Sequence, residues 1–332
     1  MRRLLLLIVA VLQRTPVIEW LRTARGWRDQ YLDPQVRQLR SVVRQMERGQ
    51  VDILFLGDSS ATFFGPGDVD RRRLPEMLGA ELGQRVAVIA GPGYNPPLYS
   101  ELVRILGTLP QRPRAVVLSR AVRTSCATHV RQHPEYGYRR SIATLRRASG
   151  AHGLRAFSRS NRRTPQEYAA FEALPVRTRW ERASTIGGFL ALVRGRRTAG
   201  GDLATQQALF DYFHGELLDP GIATVGELTE LAARLRAYGV PVVHYYPPIP
   251  VERGEQYFPG EFEAQVRASY AVVDGVLEAG LGDLGALVET PFDTPDDEFI
   301  DPTDGSEHWN EKGRARIARR IAELVQQARV DA

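Results

Sequence analysis

Two short stretches near opposite ends of the chain hold the residue types of covalent acyl chemistry. In "VDILFLGDSSATFF" (Val51–Phe64) an apolar run ends in Gly-Asp-Ser-Ser. In "DPTDGSEHWNEKG" (Asp301–Gly313) acids, a histidine and a helix start fall together. A serine hydroxyl is a poor nucleophile until a base takes its proton. That base must in turn be held in the right tautomer by an acid or another acceptor. Ser59 is the candidate nucleophile and His308 the candidate base, with Asp304 or Glu307 to orient the imidazole. Each stretch alone also has a plain reading, because Asp and Ser bond well to turn backbone and a lone histidine can sit at the surface. The combination is more specific than either part.

The elements that must position these residues read as alternating strands and helices. "VDILFLG" is a first strand, "RVAVIAG" (Arg85–Gly91) a second and "RAVVLS" (Arg114–Ser119) a third. Between them lie the amphipathic helix "PEMLGAEL" and a helix over Pro96–Leu109, opened by proline, a favoured first-turn residue. This rhythm implies a parallel sheet with right-handed crossovers. It resumes with a helix over Thr224–Gly239, a strand over Val240–Pro247, the helix "EFEAQVRASYAVVDGVLEAG", a short strand over Gly285–Thr290 and a C-terminal helix. The fold class is therefore α/β, three-layered, with a mostly parallel sheet of about five strands. Ligands bind such sheets outside the carboxyl ends of the strands. The segments "GDSS", "GPGYN", "SRAVRT" and "YYPPIP" share that rim, and the His308 stretch is expected to join them.

Residues 1–50 form an N-terminal apolar segment and a helix with Val36, Leu39, Val42, Val43 and Met46 on one face. Residues 51–330 form the α/β domain. From about 120 to 220 arginine, serine and aromatic residues replace the strand pattern, which reads as a helical insertion, a lid in one version. The nine apolar residues Leu4–Leu12 follow "MRR". They are too few to span a bilayer, which takes roughly 20, and no small-residue cleavage site follows them. An uncleaved anchor, an interfacial helix and a cytosolic helix packed on the domain all stay open, with membrane association or export favoured over a cytoplasmic location.

The chain has 332 residues, a formal net charge of +5 and one lysine, Lys312. Its basic charge is arginine spread along most of the chain, with no nucleic-acid motif beside it, so a nucleic-acid partner is not expected. Cys126 is the only cysteine, which excludes an intrachain disulfide and cysteine-based zinc sites. The histidines do not pair with acids at metal-ligand spacing, and no metal is expected. No phosphate-binding glycine loop follows the first strand, which disfavours a nucleotide- or flavin-binding domain.

"LFLGDSS", "IAGPGYNPPLYSELVRIL" and "DGSEHWNEKG" resemble the first, second and last blocks of the SGNH/GDSL hydrolase superfamily. The resemblance covers about residues 50–125 and 240–325. It implies a flavodoxin-like fold and ester hydrolysis or acyl transfer without a cofactor. It also implies Ser59 as nucleophile, Gly93 as a backbone donor to the oxyanion, and His308 with Asp304 as base and acid. Asn95 could reach the site. Two features depart from the family pattern. Its third-block Asn is missing from "LSRAVRTSC", so Ser119, Arg120 or Arg123 would substitute, or the oxyanion keeps only the Ser59 and Gly93 amides. The acid normally stands three residues before the histidine, where this chain has Gly305. Asp304 sits four back and Asp301 seven back, so a bulged loop, Glu307, Asp301 or a bare Ser–His dyad remain alternatives.

The apolar N-terminus and the "EHWN" ending are similar to the envelope branch of the superfamily, which includes alginate acetyltransferase and teichoic-acid D-alanylation groups. That implies an acylated small molecule or glycan as substrate and a membrane or envelope assembly partner. The rival reading is a non-catalytic SGNH-like domain that binds glycan or scaffolds a complex.

Overall fold

Strands β1 (Ile53–Gly57), β2 (Val86–Ala90) and β3 (Ala115–Ser119) are five residues long, and β4 (Val242–Tyr245) and β5 (Gly285–Val288) are four. All pair parallel, in the order β2-β1-β3-β4-β5. This is the flavodoxin-like doubly wound order, with its switch point between β1 and β3. The computed structural model describes residues 34–91, 93–126, 145, 203–221, 223–288, 292–303 and 305–328. The apolar segment at Leu4–Leu12, most of the helical insertion and Asp304 lie outside the described residues.

The strands are almost continuously apolar because both faces of the sheet are covered. Side chains alternate between those faces with period two. Ile53 and Phe55 of β1 point to one side with Ala115, Val117 and Val243, against Leu74, Met77 and Leu78 of α2 (Leu74–Leu82) and Ile317, Ile321 and Val325 of α8 (Glu311–Gln327). Leu54 and Leu56 point to the other side with Ala87, Ile89, Val116 and Leu118. That face is covered by α1 (Pro34–Glu47), α3 (Pro96–Leu106), α5 (Ala223–Tyr238) and α7 (Phe262–Leu281). On α1 the stripe Leu39, Val42, Val43 and Met46 is buried. Two further helices, α4 (Leu203–His214) and α6 (Val251–Tyr257), sit near the sheet's carboxyl edge and pack on each other through Phe210 and Tyr257. Among the described residues no helix is long and apolar enough to cross a membrane.

Parallel register aligns the strand ends. Gly57 pairs with Ala90 and Ser119 with Tyr245. The turns after β1, β2, β3 and β4 therefore open on one rim.

Candidate active site

Ser59 starts a single 3-10 turn, Ser59–Ala61, directly after β1. Asp58 holds that turn. Its carboxylate accepts from the Ser60 amide at 2.8 Å and the Ser60 hydroxyl at 2.6 Å, and from the Ser119 hydroxyl of β3 at 3.3 Å. A buried acid with three donors is satisfied in place, and it fixes the angle at which the chain leaves the sheet. Ser59 itself stays 7% exposed.

The candidate base arrives from 249 residues later in the chain. His308 Nε2 lies 3.1 Å from Ser59 Oγ. A short antiparallel pairing sets the imidazole. The Ile300 amide donates to the His308 carbonyl at 3.0 Å, and the Asn310 amide donates to the Glu298 carbonyl at 2.8 Å. Asn310 then caps α8 by accepting from the amides of Lys312 and Gly313, as an Asn at that position does. Gly313 is required there, since a Cβ would collide with the Trp309 ring and stand 2.9 Å from the Glu298 carbonyl oxygen. Phe63, one turn after Ser59, stacks on the imidazole with centroids 4.9 Å apart and planes 29° apart.

The second brace is Arg314, fully buried in α8. Its Nη1 donates to the Asp68 carboxylate at 2.8 Å and to the Trp309 carbonyl at 3.1 Å. Nη2 donates to the Asp70 carbonyl at 2.7 Å, and Nε to the Arg72 carbonyl at 3.1 Å. One side chain thus ties the loop that follows Ser59 to the helix that follows His308. No motif marks it, because its acid lies 246 positions away. Phe63 was equally illegible, an aromatic residue in a loop with no periodicity.

The other candidates are placed as follows. Asp304 lies outside the described residues. Glu307 meets Arg123 instead: its Oε2 lies 3.1 Å from Arg123 Nε, both groups buried. The charges touch without the alignment of a hydrogen bond. Arg123 also lies over the Phe213 ring at 5.0 Å. Asp301 accepts from the Thr303 amide at 2.9 Å and its hydroxyl at 2.6 Å, a local turn. Among the described residues no carboxylate lies within 4.0 Å of a His308 ring nitrogen. Gly93 is buried with φ of 65°, a conformation that favours glycine, in the turn after β2, where the Gly91 amide donates to the Gly57 carbonyl at 3.1 Å. Asn95 caps α3 by accepting from the Leu98 amide at 3.2 Å. Arg120 donates to Asp274 at 2.9 Å and covers the Tyr246 ring at 3.9 Å. Among the described residues no group of three His, Cys, Asp or Glu could hold a metal ion.

Burial governs the site's electrostatics. It pushes the His308 pKa down to about 3, with the Arg123 cation adding to the effect. Neutral imidazole is thus the resting form, able to accept a proton. Replacing Arg123 by methionine removes a cation that opposes protonation of His308. The acid limb of a kcat/KM profile is expected to move to higher pH. An unmoved or lowered limb would show that Arg123 does not act on His308.

Stability should follow pH through the same groups. Burial also lowers His214 to about 3 and His244 to about 2, from 6.5. Below about pH 6.5 the unfolded chain takes up protons that these three native rings refuse, so their contribution is lost as pH falls. Burial raises Glu307 from 4.5 to about 7, so its contribution is present at low pH and lost as pH rises through about 7. Between pH 4.5 and 6.5 three histidines oppose one acid. The urea midpoint is expected to fall steadily as pH drops across that window, and a rising midpoint would contradict the assignment.

The fold and site define a class, a doubly wound parallel α/β domain with a Ser–His pair at its carboxyl rim. No family model and no curated protein matches the chain. Among solved structures, an acetyl xylan esterase (Est2A) from the rumen bacterium Butyrivibrio proteoclasticus is similar with a TM-score of 0.34 and 10% identity. The match covers 83% of this chain and 63% of that one, so the chain spans less than two thirds of that protein's length.

Proposed function

We propose that the chain is a serine-dependent esterase or O-acyltransferase acting on an acylated carbohydrate or related envelope molecule. The observation that carries this reading is the 3.1 Å approach of His308 Nε2 to Ser59 Oγ. A turn serine and a capping histidine have no need to meet across 249 residues, whereas a nucleophile and its base must lie within about 2.6–3.2 Å.

In the reaction, Ser59 Oγ forms a bond to the acyl carbonyl carbon while its proton passes to Nε2 of His308. The backbone N–H groups of Ser59 and Gly93 take the negative charge that develops on the carbonyl oxygen. The tetrahedral intermediate collapses, the alcohol leaves, and His308 returns the proton to the leaving oxygen. Water then attacks the acyl-serine with His308 again as base, releasing the acid and restoring Ser59. In a transferase a sugar hydroxyl replaces that water. A resting Nε2 free to accept requires the proton on Nδ1. Burial and Arg123 both oppose the imidazolium, so its formation is coupled to the oxyanion appearing beside it. Asp304, outside the described residues, stays the candidate acid for Nδ1, with a Ser–His dyad steadied by Phe63 as the alternative.

The carbohydrate and envelope assignment rests on the resemblance of the apolar N-terminus, the divergent third block and the EHWN ending to the superfamily's envelope branch. The exposed rings of Phe63 and Phe64, 46% and 40% accessible, offer an apolar rim on which a sugar face or acyl group can lie. A membrane or envelope assembly partner belongs to the same proposal.

Aryl acetates and O-acetylated glycans test it, with and without added sugar acceptors. Acetate release that requires Ser59 supports an esterase, and acetyl appearing on the sugar supports a transferase. Folded protein that releases acetate from neither substrate, yet binds the glycan, would replace catalysis by the binding role.

A further inference from the structure

Helix α4, the last turns of the inserted segment, meets the His308 loop directly through Phe210 and His214 and indirectly through Phe213. Phe210 packs on Gly305, where a Cβ would stand 3.3 Å from Phe210 Cδ2 and 3.4 Å from its Cα. The Phe213 ring lies under Arg123, whose Nε faces Glu307, the residue before His308. His214 Nε2 lies 2.9 Å from the carbonyl oxygen of Gly305. That oxygen can only accept, so Nε2 carries the proton and donates. The helix end is fixed from behind as well. Gln265 of α7 donates to the His214 carbonyl at 2.8 Å, and Phe262 meets the imidazole edge-on at 5.6 Å.

Gly305 has φ of 63°, a left-handed conformation open mainly to glycine, at a point three residues before His308 where the backbone has the most freedom. The four residues Gly305–His308 run from a carbonyl held by His214 to a ring held against Ser59. We infer that His214 is a positioning residue. It sets the path of the Gly305–His308 loop and through it the approach of His308 to Ser59, coupling the inserted segment to the reacting pair. The inference rests on the proposed reading of Ser59 and His308 for its effect on rate, and on geometry alone for its effect on His308.

His214→Leu removes the donor. His214→Gln offers an amide N–H at a similar reach. The test follows wild type, both variants and the core variant Ile105→Val, chosen for a comparable loss of stability away from the site. Each is 15N-labelled at histidine and, separately, reacted with a fluorophosphonate and an aryl acetate. The expected result is a shifted His308 ring signal in His214→Leu, with labelling and kcat falling roughly 10- to 100-fold and KM holding within about 2-fold. His214→Gln restores both, and Ile105→Val changes neither. An unshifted His308 signal in His214→Leu overturns the inference whatever the activity. A shifted signal in protein that never labels supports the positioning role while removing the catalytic reading. Equal rate losses in His214→Leu and Ile105→Val would reduce His214 to general stability and overturn it too.

Discussion

Replacing Ser59 by alanine is expected to cut kcat/KM on an aryl ester by about 10⁴-fold or more, with the folded state preserved. The prediction follows from where the hydroxyl sits. Asp58 holds the turn through Ser60 and Ser119, not through Ser59 Oγ. Removing Oγ therefore takes away the reacting atom and leaves the brace whole. His308→Ala should lose about as much, because an unactivated serine and an absent serine are nearly equivalent. The double variant should then be little worse than either single one, since groups acting as a unit are strongly non-additive. Steady-state kinetics on the four proteins, with circular dichroism to confirm folding, checks this. Single losses that multiply in the double variant would mean that the two residues act separately, and the 3.1 Å contact would lose its chemical meaning.

The second large effect is structural. Arg314→Met is expected to cost about 3–5 kcal/mol, the usual consequence of leaving a buried acid without its cation. Asp68 would keep only the amides of Gly65, at 2.6 Å, and Glu311, at 3.3 Å. The carbonyls of Asp70, Arg72 and Trp309 would each lose a donor. Because the lost bonds join the loop after Ser59 to the helix after His308, activity should fall in the molecules that remain folded. Adding Asp68→Asn removes the stranded charge and should recover part of the stability without recovering the rate. Urea denaturation measures the first claim and single-turnover acylation the second. A loss below about 1 kcal/mol would place Arg314 among ordinary surface pairs.

The sheet was legible because its signals are local. Apolar runs ending in glycine or serine mark β1 to β3, and amphipathic helices between them force parallel crossovers. Period-two burial, Ile53 and Phe55 on one face and Leu54 and Leu56 on the other, needs no knowledge of the partner helices. Ser59 and His308 were legible as candidates, since each lies in a short stretch rich in turn and polar residues. Their meeting was not, because nothing between residues 59 and 308 records a distance. Glu307 shows the limit of local reading. Adjacent to His308, it looks like an orienting acid, yet its backbone position directs it to Arg123, which one sequence cannot reveal. Asn95 reads as a residue that could reach the site, yet it caps α3, its side-chain oxygen engaged by the Leu98 amide. Phe63, Arg314 and His214 act through partners that a linear motif does not contain.

The central claim is that Ser59 is a nucleophile made reactive by His308. Incubation of the whole chain with a fluorophosphonate, followed by digestion and mass spectrometry, addresses it directly. The account predicts one modified peptide, covering Val51–Phe64 with the adduct on Ser59, and a labelling rate that collapses in His308→Ala. Folded wild-type protein that stays unlabelled, or labels at Ser59 just as fast without His308, would contradict it.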